Sequence, residues 1–137
     1  TPNELSSRET AATPEQVQDR KRLRSDPPPI LVTNATMLEY MLLRPDDRSI
    51  LEQSQGKLRW IVLDEAHTYL GSNAAEIGML LRRVLLAFGV ESTDVRFVAT
   101  SATMGSAEAR EELRGYLADL AGVPLDRVDF VTGRRVA

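Results

Sequence analysis

The fold of this chain is limited most strongly by three short apolar runs, each of which ends in polar residues. The runs begin at Ile30, Trp60 and Val95. Runs of this length that are apolar on both faces are typical of central strands in a parallel sheet. Apolar residues at helical spacing lie between them, as in the stretch from Ile77 to Phe88. This order of strands and helices predicts an α/β fold with a parallel sheet and right-handed crossovers.

Small and polar residues mark the boundaries of the predicted helices. Gly89 is expected to close the helix that follows the second strand. Ser106 is a plausible N-cap for a later helix, which ends at Gly122 and Pro124. A last short strand is predicted over residues 128–131.

The polar residues that end the three runs fall where parallel sheets bind ligands, at the carboxyl ends of the strands. The clusters are Thr33-Asn34, Asp64-Glu65-Ala66-His67 and Ser101-Ala102-Thr103. Neighbouring side chains at a strand end point in different directions, so one carboxylate can hold hydrated Mg²⁺ while the next reaches a water. That arrangement suits nucleotide hydrolysis, with Asp64 as the metal residue and Glu65 as the water-activating residue.

Each cluster also has a purely structural interpretation. A strand that ends in Asp-Glu is common, and acidic residues make good N-caps for a following helix. His67 is the only histidine of the chain, and a lone histidine is more often a surface or capping residue than a catalyst. Thr33 and Asn34 suit a helix N-cap. Ser101 and Thr103 suit a turn or a cap, so the residues alone leave both interpretations open.

The clusters, taken in order, resemble the motifs of superfamily 2 helicases. The DEAH sequence at residues 64–67 resembles motif II, and the SAT sequence at residues 101–103 resembles motif III. LVTNATML, at residues 31–38, resembles the region around motif Ib. The stretches TNATMLEYMLLRP and LRWIVLDEAHTYLG are similar to large bacterial DEAD/DEAH-box helicases of the Lhr-like and Hrq-type group. The resemblance covers nearly the whole chain and is weakest over residues 10–26.

The resemblance implies a role for each residue of motifs II and III. Asp64 would coordinate Mg²⁺ through water, and Glu65 would polarise the water that attacks ATP. His67 would link the nucleotide to motif III and to a second motor domain. Ser101 and Thr103 would couple ATP hydrolysis to movement along the nucleic acid.

Around motif Ib, the resemblance implies contact with the backbone of a nucleic acid, through Thr33 and Asn34. A hydroxyl, an amide and backbone N–H groups suit phosphate contacts, which position a protein without reading sequence. DNA is expected in preference to RNA. The net charge of the chain is -3, so the chain as a whole does not attract nucleic-acid phosphates. Any such contact has to come from a local group of basic or polar residues. The basic stretch from Arg20 to Arg24 could supply one, although a solvated helix face is the simpler interpretation.

The fold implied by the resemblance is a three-layer P-loop NTPase (RecA-like) half-domain, with a small parallel sheet flanked by helices. It would occupy residues 30–137, the second half of the first RecA-like domain of a helicase. Residues 1–29 are polar and rich in proline, and they would form an N-terminal segment with one short helix from Pro14 to about Arg24.

The chain has no G-x-x-x-x-G-K-[ST] phosphate-binding loop (Walker A). We therefore expect an internal piece of a longer protein, whose remainder supplies that loop and a second RecA-like domain. These residues alone are expected to bind ATP weakly and to show no useful ATPase activity. Without the strand that precedes the loop, the SAT strand is expected to keep an exposed edge.

Composition excludes several other classes of protein. There is no cysteine, which rules out disulfides and thiolate metal sites and fits a cytoplasmic protein. No apolar run approaches the roughly 18–20 residues of a membrane span, and no secretory signal is visible. Two alternatives to a helicase remain. One is a double-stranded DNA translocase that does not separate strands, and the other is a non-catalytic α/β binding module in which the motifs are structural caps.

Overall fold

The computed structural model describes residues 19–102 and 106–133. It divides into two compact units, one ending at Gln55 and the other starting at Gly56. Composition did not indicate this boundary, and the division of the chain at residues 29 and 30 stays a prediction. Thr103 and residues 14–18 of the helix predicted from Pro14 to about Arg24 lie outside the described residues. A helix that is continuous through Asp19 is wrong, because Asp19 has an extended backbone and caps a helix that begins only at Arg20.

Short helices build the first unit. They are α1 (Arg20–Ser25), α2 (Ala35–Leu43) and α3 (Arg48–Gln53). The Arg24 guanidinium joins α1 to the start of α3, because its Nε donates to Asp47 Oδ1 at 2.7 Å. Ser49 Oγ donates to the Arg24 carbonyl at 2.9 Å. Asp47 is buried, so this ion pair satisfies a carboxylate that would otherwise be costly to bury.

The strand predicted over residues 30–33 is wrong. These residues form no ladder with any described part of the chain, and Ile30 and Val32 are 76% and 91% exposed. The three preceding prolines have no N–H groups, so a ladder cannot extend upstream. An apolar run becomes a strand only where a neighbour pairs with its backbone, and no described segment does so here.

The last predicted strand, over residues 128–131, is also wrong. A 3₁₀ turn at Leu125–Arg127 leads into this segment, which pairs with no described strand. Val128 is buried, whereas Phe130 and Val131 are exposed. The Val128 carbonyl accepts the Arg114 Nε–H of α5 at 3.1 Å, so a side chain and not a strand satisfies this backbone group.

A parallel pair of strands forms the centre of the second unit. The strands are β1 (Trp60–Leu63) and β2 (Arg96–Ala99), and both lie where the sequence predicted them. Trp60 pairs with Arg96 at one end of the ladder, and Leu63 pairs with Ala99 at the other. Within the described residues each strand pairs only with the other, and the exposed edge expected for β2 stays a prediction.

Two longer helices belong to this unit and confirm the predicted pattern. They are α4 (Ala74–Phe88), which connects the strands, and α5 (Ala107–Ala121). Ser106 caps α5 by accepting the Ala109 N–H at 3.2 Å. Gly89 and Gly122 end the helices in the left-handed region, with φ values of 63° and 64°. Glycine is favoured at both positions because it has no Cβ to clash there.

The core of the second unit lies on one face of the sheet. It is centred on Leu63, Ala66, Leu81 and Leu113. Side chains alternate along β1, so Trp60 and Val62 face the opposite side and are 54% and 60% exposed. The buried face places the ends of β1 and β2 beside α4 and α5, and this packing fixes the tips of the two strands.

A tyrosine from α5 also packs against this core. The Tyr116 hydroxyl donates to the Ala74 carbonyl at the start of α4, at 3.4 Å. Burial raises the pKa of Tyr116, and the nearby Tyr69 raises it further. Tyr116 therefore stays a neutral donor near neutral pH.

Candidate active site at the strand tips

The ladder between β1 and β2 continues past the strands into the two polar clusters. The Thr100 N–H donates to the Leu63 carbonyl at 2.9 Å, and the Ala66 N–H donates to the Thr100 carbonyl at 2.8 Å. The Thr100 hydroxyl donates to Asp64 Oδ1 at 2.5 Å. The parallel register thus brings the residue after β2 against the DEAH segment after β1, as the sequence analysis expected for adjacent strands.

The backbone turns sharply at Glu65. This residue has φ 50° and ψ 46°, and it is the only described residue other than glycine with a positive φ. The left-handed region costs a non-glycine residue roughly 1–2 kcal/mol. The turn is held by the Thr68 N–H and hydroxyl, which both donate to the Glu65 carbonyl at 2.9 Å. Strained backbone of this kind clusters at active sites.

His67 joins the two clusters through its imidazole. Its Nδ1 lies 2.9 Å from Ser101 Oγ and 3.3 Å from Glu65 Oε2. The Ser101 contact is a hydrogen bond whose donor depends on the imidazole tautomer, and the Glu65 contact is a close approach of a carboxylate oxygen to the same nitrogen. The structure therefore brings together Glu65, His67 and Ser101, as well as Asp64. Thr103 lies outside the described residues.

Thr100 is a residue of the site that the motifs do not indicate, because it lies between the third apolar run and the SAT cluster. The available signal was its position: it is the first polar residue after a predicted strand next to the one that carries DEAH. Only the register, which pairs Leu63 with Ala99, shows that Thr100 falls beside Asp64.

Thr33 and Asn34 lie in the first unit. Asn34 is the N-cap of α2, and its Oδ1 accepts the Met37 N–H at 2.8 Å. The Thr33 hydroxyl lies 3.3 Å from the Asn34 carbonyl and is exposed. The capping interpretation of Asn34 is therefore correct, but the cap uses only the side-chain oxygen and not the amide donors.

Both residues also line a cleft of about 310 Å³ in the first unit, whose wall includes Arg20 and Arg44. The Arg44 guanidinium stacks 4.9 Å from the centre of the Tyr40 ring. Most of the other lining residues are apolar, so the hydroxyl, amide and guanidinium groups that suit phosphate contacts form only part of the wall of the cleft.

The described residues fit a magnesium ion that arrives with a nucleotide. Among them, no group of three or more acidic or histidine side chains could hold a metal. Mg²⁺ keeps several waters and is usually bound by one or two carboxylates together with substrate phosphates. Asp64 is exposed and has one carboxylate oxygen bonded to Thr100, so its second oxygen can face such a hydrated ion.

No helix in the described part of the chain is long and apolar enough to cross a membrane.

Comparison with known proteins identifies the family. The DEAD/DEAH box helicase family model matches residues 3–111. The chain is 34% identical over 127 residues to Druantia protein DruE of Escherichia coli (strain UMEA 4076-1), covering 88% of this chain and 7% of that protein. It is 33% identical over 108 residues to the uncharacterized ATP-dependent helicase YprA of Bacillus subtilis (strain 168), covering 74% of this chain and 14% of that protein.

The chain thus spans a small part of the length of these curated relatives. No solved structure matches it significantly. The family match includes the DEAH and SAT clusters and both strands of the sheet. The resemblance drawn from those clusters is confirmed: the chain belongs to the DEAD/DEAH box helicase family.

Proposed function

We propose that this chain is part of an ATP-dependent helicase or translocase, in which ATP hydrolysis drives movement along DNA. The observation that carries the proposal is the joining of the DEAH and SAT segments at the strand tips. The Thr100–Asp64 and His67–Ser101 contacts bring a carboxylate, an imidazole and the Ser101 hydroxyl to the same end of the two strands, and the Glu65 carboxylate lies beside His67.

Within this proposal Asp64 would hold hydrated Mg²⁺, and Glu65 would orient the water that attacks ATP and accept its proton. The magnesium ion would supply the charge that neutralises the phosphates during hydrolysis. The Glu65 carboxylate lies beside His67, whereas the Asp64 carboxylate is bonded to Thr100, so the adjacent carboxylates have different neighbours and are available for different tasks. His67 couples the nucleotide site to Ser101 through the hydrogen bond between their side chains.

We propose Thr33 and Asn34 as contacts to the nucleic-acid backbone, with DNA preferred over RNA. Support comes from the cleft that they line with Arg20 and Arg44. Similarity of two sequence stretches to the Lhr-like and Hrq-type group supports both that subgroup and DNA. Thr103, in the SAT segment, is proposed to act with Ser101 in coupling.

The intact protein tests this function directly. We expect its ATPase activity to be stimulated by single-stranded DNA and more weakly by RNA of the same sequence and length. The measurement is steady-state phosphate release at several salt concentrations, because phosphate contacts weaken as salt rises. ATP turnover without strand displacement would favour the double-stranded DNA translocase. A folded intact protein without turnover on any nucleic acid would favour the non-catalytic binding module.

The chain supplies the carboxylates proposed for hydrolysis but no phosphate-binding loop. The presence of these carboxylates should therefore not be enough for ATP binding. We expect residues 1–137 alone to bind ATP too weakly for calorimetry at micromolar protein, and to release no phosphate. The intact protein, measured in the same buffer, provides the control. Tight ATP binding by residues 1–137 would contradict the proposal that the Walker A loop and the second RecA-like domain come from the rest of the protein.

A further inference from the structure

We propose that Thr100 is a positioning residue for the magnesium site: its hydroxyl fixes the orientation of the Asp64 carboxylate. Thr100 lies outside both sequence motifs, directly before the SAT cluster. The inference rests on the proposed function, because it assumes that Asp64 faces hydrated Mg²⁺ bound with ATP.

The geometry gives Thr100 three separate contacts with the end of β1. Its N–H donates to the Leu63 carbonyl, and its carbonyl accepts the Ala66 N–H. These two backbone bonds hold the residues on either side of the Asp64–Glu65 pair. The third contact, from the hydroxyl to Asp64 Oδ1, is the only one that depends on the Thr100 side chain.

The side-chain bond is suited to positioning rather than to holding the fold together. Thr100 and Asp64 are both exposed, whereas the nearby Ala66 is fully buried. A hydroxyl that donates to a carboxylate forms a charge-assisted bond, which is stronger and more directional than a neutral one. It occupies Oδ1 and leaves Oδ2 for the hydrated ion. The core and both backbone bonds remain when the hydroxyl is removed.

Groups that orient a metal-binding side chain typically change metal affinity or activity about 10- to 100-fold when they are removed. Here Asp64 would be the one described carboxylate that holds the hydrated ion beside the phosphates of ATP, so its orientation would contribute to the affinity. A free carboxylate at an exposed strand end would sample several rotamers. The hydroxyl selects one of them before the nucleotide arrives.

The test uses the intact protein with Thr100→Val, which keeps the β-branched shape and removes the hydroxyl. Thr100→Ser keeps the hydroxyl and is the rescue variant. Thr93→Val makes the same change at an exposed threonine before the other end of β2 and is the matched control. Mn²⁺ replaces Mg²⁺, and its binding is measured by electron paramagnetic resonance with a saturating non-hydrolysable ATP analogue.

We expect Thr100→Val to weaken Mn²⁺ binding roughly 10-fold, with Thr100→Ser and Thr93→Val close to wild type. In hydrolysis, the Mg²⁺ concentration that gives half-maximal ATPase activity should rise by the same factor. Turnover at saturating Mg²⁺ should change little. A role in stability alone would lower the melting temperature and leave the metal dependence unchanged.

Thr100→Ala provides a second variant without the hydroxyl if Thr100→Val does not fold. Wild-type Mn²⁺ affinity in a folded variant that lacks the hydroxyl would overturn the inference about Thr100 and leave the proposed function intact. An intact wild-type protein that shows neither nucleotide-dependent Mn²⁺ binding nor ATPase activity would overturn the proposed function itself. The two failures are therefore distinguishable.

Discussion

Replacing Glu65 with glutamine is expected to lower DNA-stimulated ATP hydrolysis by the intact protein about 100-fold or more, the usual loss when a general base is removed. ATP binding should stay near the wild-type value. Glutamine keeps the size and shape of the side chain but cannot accept a proton from the attacking water. Steady-state phosphate release and binding of a fluorescent ATP analogue measure the two quantities separately.

The position of Glu65 strengthens this expectation. Its backbone is held in a left-handed conformation by bonds from Thr68 and by the Ala66 bond to Thr100. Glutamine suffers the same backbone strain as glutamate, so the variant changes the chemistry and not the turn. Glutamine also keeps a side-chain oxygen that can approach His67 as the carboxylate does.

Glu76→Gln is the matched control for this variant. Glu76 is an exposed glutamate in the first turn of α4, away from the strand tips, and its replacement should leave turnover unchanged. Turnover of Glu65→Gln within a factor of about three of wild type would reject Glu65 as the water-activating residue, given how much a general base contributes.

The sheet shows what the sequence could and could not predict. β1 and β2 were predicted correctly because each apolar run lies next to a helix whose apolar face covers it. The same pattern failed at residues 30–33, since Ile30 and Val32 have no described strand beside them. Apolar composition is local, whereas pairing depends on a partner distant in the sequence. A four-residue run therefore does not by itself specify a strand.

The candidate site shows the same limit at the level of single side chains. DEAH and SAT could be found from residue types in order, because their spacing follows the strands. Thr100 could not be assigned, since its bond to Asp64 joins residues 36 positions apart and depends on the register of the ladder. Asn34 was predicted as either a cap or a nucleic-acid contact, and the structure shows the cap.

Replacing Ser101 with alanine is expected to separate ATP hydrolysis from movement. Strand displacement by the intact protein should fall roughly 10-fold, the equivalent of one lost hydrogen bond, while DNA-stimulated ATPase activity falls much less. Ser101 contacts His67 and neither of the two acidic side chains in any described hydrogen bond. The two carboxylates proposed to act in hydrolysis thus keep their own contacts in the variant.

A double-mutant cycle with His67→Ala tests whether the contact itself is responsible. If Ser101 and His67 act through their 2.9 Å bond, the double variant should displace strands as fast as the less active of the two single variants. Ser72→Ala, in an exposed turn before α4, is the matched control. Equal losses of ATPase and strand displacement in Ser101→Ala would place Ser101 in hydrolysis. Independent, additive losses in the cycle would mean that His67 and Ser101 do not act as a unit.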